Sequence, residues 1–312
     1  MHDMNAPRSI APLYKVFLFG RFRIERRNSL MVYQPLHPDH WDRQSPQRVL
    51  SYLLVTPGRH VLKDILLEAL CPEEDLEKAQ AVLTQALSLV RHALVDEQGF
   101  PLLTPRKANK QKPLSLAGRE HIWCDWDAFQ DKLIQAQAEE QQGGDPLPLW
   151  EEAYTLSQEE FLLDERYSDW CQRVRERIEG DQRLCLLHLV AWYRKCGRGA
   201  DAERALRAWL SAHALDQDML CKLMEILAEQ GRIQEARSWY QRVKEMLEEE
   251  GMEVAERTQD MIRWLQTLPF SQYHDTPGHG QRLLDTSQHI ISGASSTLPF
   301  PLSETFNALQ IS

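Results

Sequence analysis

The sequence predicts a mainly α chain in two parts: an N-terminal winged helix-turn-helix of α+β type, then an all-α domain of TPR-like helical repeats. Three observations lead there. Strand-like segments come before three short helical ones, a basic hairpin follows the third helix, and the back half repeats itself at an offset of 34 residues.

The strands come first. LYKVFLFG and RFRIER are rich in β-branched and aromatic residues and meet at Gly20, which predicts two short antiparallel strands, with SLMVYQP as a third. Pro35 to Trp41 reads as a loop. His37 and His40 within it have no carboxylate or cysteine partner nearby in sequence, so no metal site is expected.

From Ser45 the apolar period changes to that of a helix. In SPQRVLSYLLV, Ser45 is the expected N-cap, Pro46 occupies the first turn, and Val49, Leu50, Leu53 and Leu54 share a face. TPGR turns the chain, and VLKDILLEAL makes a second helix with Ile65, Leu66, Ala69 and Leu70 expected inward, ended by Pro72. Glu73, Glu74 and Asp75 then suit the positive end of a third helix, Asp75 to Leu94.

That third helix has two unlike faces. Ala79, Val82, Leu83, Ala86, Leu87, Val90 and Leu94 form an apolar stripe, while Ala81, Thr84, Gln85, Ser88 and His92 lie opposite, flanked by Glu77, Lys78 and Arg91. Taken alone, such a helix is a solvated surface helix. Its neighbours change the reading: PLLT and PLSL predict a hairpin around the basic tip PRKANKQK, with Arg106, Lys107, Lys110 and Lys112. A polar-faced helix third in a helix-turn-helix, beside a basic hairpin, is an arrangement that can straddle a DNA groove and its phosphates. The base-reading candidates are Ala81, Thr84, Gln85, Ser88, Arg91 and His92, with Gln85 best placed for adenine and Arg91 for guanine or phosphate. Candidates for phosphate are Arg59, His60, Lys63 and Lys78, together with the four hairpin cations.

The charge agrees in sign. Met1 to Gly118 holds 16 Lys+Arg against 12 Asp+Glu, a net +4, whereas the remainder carries −14. Only the front can meet a polyanion, and the excess permits that partner without requiring it. No apolar run approaches the roughly 20 residues of a spanning helix, and the amino terminus lacks signal-peptide regions, so a cytoplasmic protein is expected, associated with the nucleoid when bound to DNA. The six cysteines form no C-x-x-C pair and read as reduced core residues. Walker, H-E-x-x-H and G-x-S-x-G signatures are missing; no catalytic residue, enzyme activity or cofactor is expected. Asp125 and Asp127 are read as caps of the helix that Trp126 enters.

The back half is helical throughout. Trp126 to Gln142, Pro146 to Gln158 and Glu165 to Lys195 show apolar spacings of three and four. Gly197-Arg198 then recurs as Gly231-Arg232, Ala202 as Ala236, Leu189 as Leu223 and Leu206 as Tyr240, in one register. Glycine lets two antiparallel helices turn, alanine lets them approach, and the large residue fills the space beyond. Pro269 to Ser312 turns to Ser, Thr, Pro and Gly and reads as a tail.

Together, the strand platform, RVLSYLLVTPGRHVLKDILLEALCPE, QALSLVRHAL, the hairpin and HIWCDWDAF resemble the OmpR/PhoB-type winged helix of SARP-family transcriptional regulators. Cys71 stands where that family usually has tryptophan, and PLSL replaces its Gly-Tyr-x-Leu. WCDWDAF, FLLDERYSDWCQRVRERI and the stretch from Leu215 to Val254 resemble the TPR-like bacterial transcriptional activator domain. The expected division is therefore a flexible start at 1–12, a winged helix at 13–118, the activator domain at 119–268 and a tail at 269–312. The resemblance implies double-stranded DNA as partner, RNA polymerase as a second, activation as the outcome, and self-association on tandem repeats. The alternative is a TPR-like adaptor whose winged helix docks proteins and no longer reads DNA. No membrane partner is expected.

Overall fold

The computed structural model describes residues 11–36, 44–72, 74–105, 112–165 and 168–268. Residues 1–10 of the expected N-terminal segment, the histidine-bearing loop, the expected hairpin tip with Arg106, Lys107 and Lys110, and the expected tail from 269 lie outside them. The chain separates into two compact units, with the division between Cys185 and Leu186.

The first unit opens with strands β1 (Tyr14–Phe17), β2 (Arg23–Arg27) and β3 (Tyr33–Pro35). They pair antiparallel, Tyr14 opposite Arg26 and Glu25 opposite Pro35. A strand not anticipated from sequence, β7 (Ile122–Cys124), joins β1 in parallel to complete the order β3-β2-β1-β7. Alternation sends Tyr14, Val16 and Leu18 fully inward. The Tyr14 hydroxyl donates to Val95 O at 2.9 Å and accepts from Val95 N at 3.1 Å, fixing the sheet to the end of the third helix.

Between β3 and β7 lie α1 (Gln44–Val55), β4 (His60–Val61), α2 (Lys63–Leu70), α3 (Leu76–Ala93), and the hairpin β5 (Leu103–Thr104) and β6 (Leu114–Leu116). The helix α1 has begun by Gln44, so Ser45 lies in its first turn and is not its cap. Its inward set Val49, Leu50, Leu53 and Leu54 is as expected. In α2 the buried pair is Leu66 and Leu67, while Ile65 is 49 % exposed, a departure from the expected inward set. The helix is two turns long and faces its neighbours on one narrow edge, which leaves Ile65 outside. The hairpin is extended by β4 into the small sheet β4-β6-β5.

The first unit continues past the winged helix through α4 (Asp125–Gln141), α5 (Leu147–Leu156) and the first part of α6 (Asp169–Lys195). Phe19 at the end of β1 meets Phe129 and Phe161 edge-on, at 5.6 and 6.0 Å between ring centres, and Trp126 packs on all three. Backbone bonds follow the same path, with Leu162 N donating to Leu18 O at 2.7 Å and Gly20 N to Glu160 O at 2.8 Å. The compact division thus falls well beyond the expected boundary at 118/119, because an aromatic core is shared across it.

The second unit takes the rest of α6, then α7 (Gly199–Ala212), α8 (Gln217–Glu229), α9 (Ile233–Glu249) and α10 (Glu256–Thr267). The 34-residue repeat is visible in the turns. Gly197 and Gly231 take φ of 71° and 76°, where an L side chain is strained. Arg198 N bonds Tyr193 O at 2.7 Å, and Arg232 N bonds Leu227 O at 2.8 Å, the same bond one repeat later. Leu189, Leu223, Ala202, Ala236 and Leu206 are all fully buried. Tyr240 is only half-buried.

Candidate nucleic-acid interface

The helix α3 is held by its apolar stripe. Ala79, Leu83, Ala86, Leu87 and Val90 are 0–2 % exposed, and burying each large side chain contributes about 1.5–3 kcal/mol. Asp75 caps it, its carboxylate accepting from Glu77 N at 3.0 Å. With one face committed, Ala81, Thr84, Gln85, Ser88 and His92 stand exposed on the other. Gln80 is exposed too, one turn before Thr84; the sequence reading passes over it, although its spacing from Thr84 is the signal that marks it. The His92 ring turns back to the Ser88 backbone O at 2.7 Å, while Thr84, Gln85 and Ser88 are exposed along the centre of that face.

Two of the expected DNA contacts are corrected. Arg91 is half-buried and donates to Pro105 O at 2.9 Å, so its guanidinium braces α3 against the start of the hairpin and does not face outward to a base. Burial lowers its pKa. Arg59 is 6 % exposed. It donates to Ala117 O at 3.0 Å and Ile122 O at 3.1 Å and pairs with Asp127, which removes it from the phosphate set. The turn TPGR reads as a surface turn, and only the later partners draw its arginine inside. His60, Lys78 and Lys112 are exposed and Lys63 half-buried.

Asp125 and Asp127 also differ from the caps expected of them. The N-cap position of α4 is Cys124. Asp125 is 3 % exposed and accepts from Leu18 N at 2.8 Å, Phe19 N at 3.0 Å and Trp126 N at 2.8 Å, so it ties the end of β1 to the start of α4. Burial pushes its pKa up to about 6 against those donors. Asp127 binds Arg59 on one oxygen and Arg119 on the other, the latter at 3.1 Å. Among the cysteines, Cys124, Cys171, Cys185 and Cys221 are buried as expected, but Cys196 is exposed at the end of α6. Among the described residues no group of three His, Cys, Asp or Glu is arranged to hold a metal, and no helix is long and apolar enough to cross a membrane.

Residues 124–266 match the bacterial transcriptional activator domain. A solved structure of Mycobacterium tuberculosis EmbR, in complex with a low affinity phosphopeptide, is similar in fold at a TM-score of 0.61. The two are 17 % identical, and the likeness covers 90 % of this chain and 70 % of that one. A search of the curated proteins found no match. The activator-domain match begins at Cys124, the last residue of β7. It therefore takes in helices that pack against the winged helix as well as the repeats of the second unit.

Proposed function

We propose that this chain is a SARP-type regulator that binds specific double-stranded DNA by laying α3 in the major groove, in the cytoplasm at the nucleoid, and activates transcription without enzymatic chemistry. The observation that supports it best is the division of α3 into a buried apolar stripe and an exposed, mostly uncharged hydrogen-bonding face. Gln80, Thr84, Gln85 and Ser88 are the groups to meet base edges, and Ala81 a thymine methyl. Lys63, Lys78, His60 and the hairpin cations Arg106, Lys107, Lys110 and Lys112 meet phosphates. The TPR-like repeats serve protein contacts, with RNA polymerase or with further copies on tandem sites.

Binding to genomic fragments across a salt series tests this. A steep fall of affinity with salt is expected, and changing all four hairpin cations to Ala should shallow the log–log slope by about 0.9 for each phosphate no longer neutralised. Gln85→Ala should cost about 1–3 kcal/mol at the cognate base and little elsewhere. Undetectable affinity at low salt, or a slope indifferent to the hairpin cations, refutes the reading. A second reading, a protein-docking winged helix, is favoured by exposed apolar side chains in and around α2 and at the start of α3. Leu62, Ile65 and Leu76 are 40–63 % exposed, in a stretch of sequence that also exposes Asp64, Glu68, Glu74, Asp75 and Glu77.

A further inference from the structure

We propose that the buried pair of Arg59 and Asp127 is a positioning device, through which the first helix of the activator domain sets where the hairpin lies against the helix-turn-helix. The inference rests on the DNA-binding reading for its consequence, though not for its geometry.

Arg59 sits in the turn between α1 and β4, directly after Gly58, and both take left-handed φ, 67° for the glycine and 56° for the arginine. For arginine that conformation is strained and persists only where the surroundings determine it. What determines it is the reach of the side chain to three separate pieces of chain. One is Ala117 O, the residue after β6; the second is Ile122 O in β7; the third is the Asp127 carboxylate in the first turn of α4. On the exposed side, Arg119 meets the other oxygen of Asp127 at 3.1 Å and Asp131 at 2.6 Å.

The consequence for the hairpin follows from strand pairing. β4, which begins at the next residue after Arg59, pairs with β6, His60 opposite Ser115, and β6 pairs with β5. Both the start of β4 and the end of β6 are therefore pinned at one guanidinium, and the guanidinium is pinned to α4. A shift of α4 along or about its axis would carry Arg59, and with it the root of the hairpin. Losing either partner strands a buried charge, and lysine, a single point charge, cannot reproduce a planar fork with acceptors on three sides.

The test compares Asp127→Asn and Arg59→Lys in the full chain with Arg119→Gln, which removes a contact to α4 and leaves the Arg59 bonds in place. In the free protein, amide exchange at Leu114 to Leu116 should rise in the first two variants while exchange in β1 stays at the wild-type rate. On DNA, both should lose affinity about tenfold, with a shallower salt slope. Hydroxyl-radical protection should disappear on the flank covered by the hairpin and persist under α3. Arg119→Gln should match the wild type in every readout. If exchange rises equally in β1 and β6, or the footprint weakens evenly at an unchanged salt slope, the pair is merely structural and the proposal is overturned. No change in β6 exchange overturns it as well. Should Asp127→Asn not fold, Arg59→Lys, which keeps the charge, decides by the same comparison. A wild type that fails to bind DNA refutes the DNA-binding reading and leaves the β6 exchange result to judge the pair.

Discussion

Asp125→Asn should abolish a pH dependence located at the joint between β1 and α4. Buried to 3 % exposure, the carboxyl is raised from 3.8 to about 6, burial outweighing the N–H donors of Leu18, Phe19 and Trp126. In the unfolded chain it titrates near its ordinary value of about 3.9. Between the two values the native chain holds a proton that the unfolded chain has released. Stability contributed at this site therefore falls as pH rises from about 4 to about 6, by about 3 kcal/mol for a two-unit shift. Asparagine does not titrate and lacks that fall. Its amide nitrogen would also face the N–H groups of Leu18 and Phe19, which the second carboxylate oxygen now accepts at 2.9 and 3.0 Å. Each donor left unmet costs about 1–3 kcal/mol. The variant should thus be the less stable at pH 4, with the gap to wild type narrowing by about 3 kcal/mol towards pH 7. Urea unfolding at stepped pH, followed by tryptophan fluorescence and circular dichroism, measures the gap. A gap that stays constant, or widens with pH, refutes the assignment of the proton to Asp125.

Further expectations concern the second unit and the thiols. Gly231→Ala places a methyl in open space at φ 76°, so its cost is purely conformational, about 1–2 kcal/mol, and Gly197→Ala at φ 71° should match it in thermal melts. Burial by itself would raise Glu203, but Arg232 lowers it, and Arg207 and Arg232 lower Glu235. Their contribution is present above the usual carboxylate range and lost as pH falls through their depressed values. Arg232→Met should lower the melting point by about 2–4 °C at pH 7 and by nothing measurable in strong acid or high salt. Burial pushes the Cys185 thiol up to about 12 and Cys171 up to about 11. Iodoacetamide on the native protein should label exposed Cys196 first and leave those two unmodified, as read by peptide mass spectrometry.

Much of the fold is legible wherever a period runs long enough to repeat. The α3 stripe and the 34-residue register of Gly197 and Gly231 rest on many positions, and the structure buries most of the apolar residues they mark, Val82 and Tyr240 excepted. The parts that escape are short and depend on distant partners. β7 is three residues, and nothing within Ile122-Trp123-Cys124 says that it pairs with Tyr14, more than a hundred positions earlier. Ile65 escapes because two turns of helix leave the inward face ambiguous. Arg59 and Arg91 read as DNA ligands from charge and neighbourhood alone. Their acceptors, backbone carbonyls at Ala117, Ile122 and Pro105, carry no signature in sequence. The aspartates of WCDWDAF stand out, yet a cap and a cross-chain clamp use the same residue type. In the candidate interface, the exposed middle of α3 is legible and the bracing around it is not.

The matched turns at Gly197 and Gly231 have a consequence for how this chain can grow. Because both end their preceding helices with the same bond and conformation, the segment between them begins and ends with interchangeable edges. Duplicating those 34 residues would insert a helical pair whose two sides already fit their neighbours. Length, and the number of surfaces offered to other molecules, can then change in whole steps, with the winged helix left as it is.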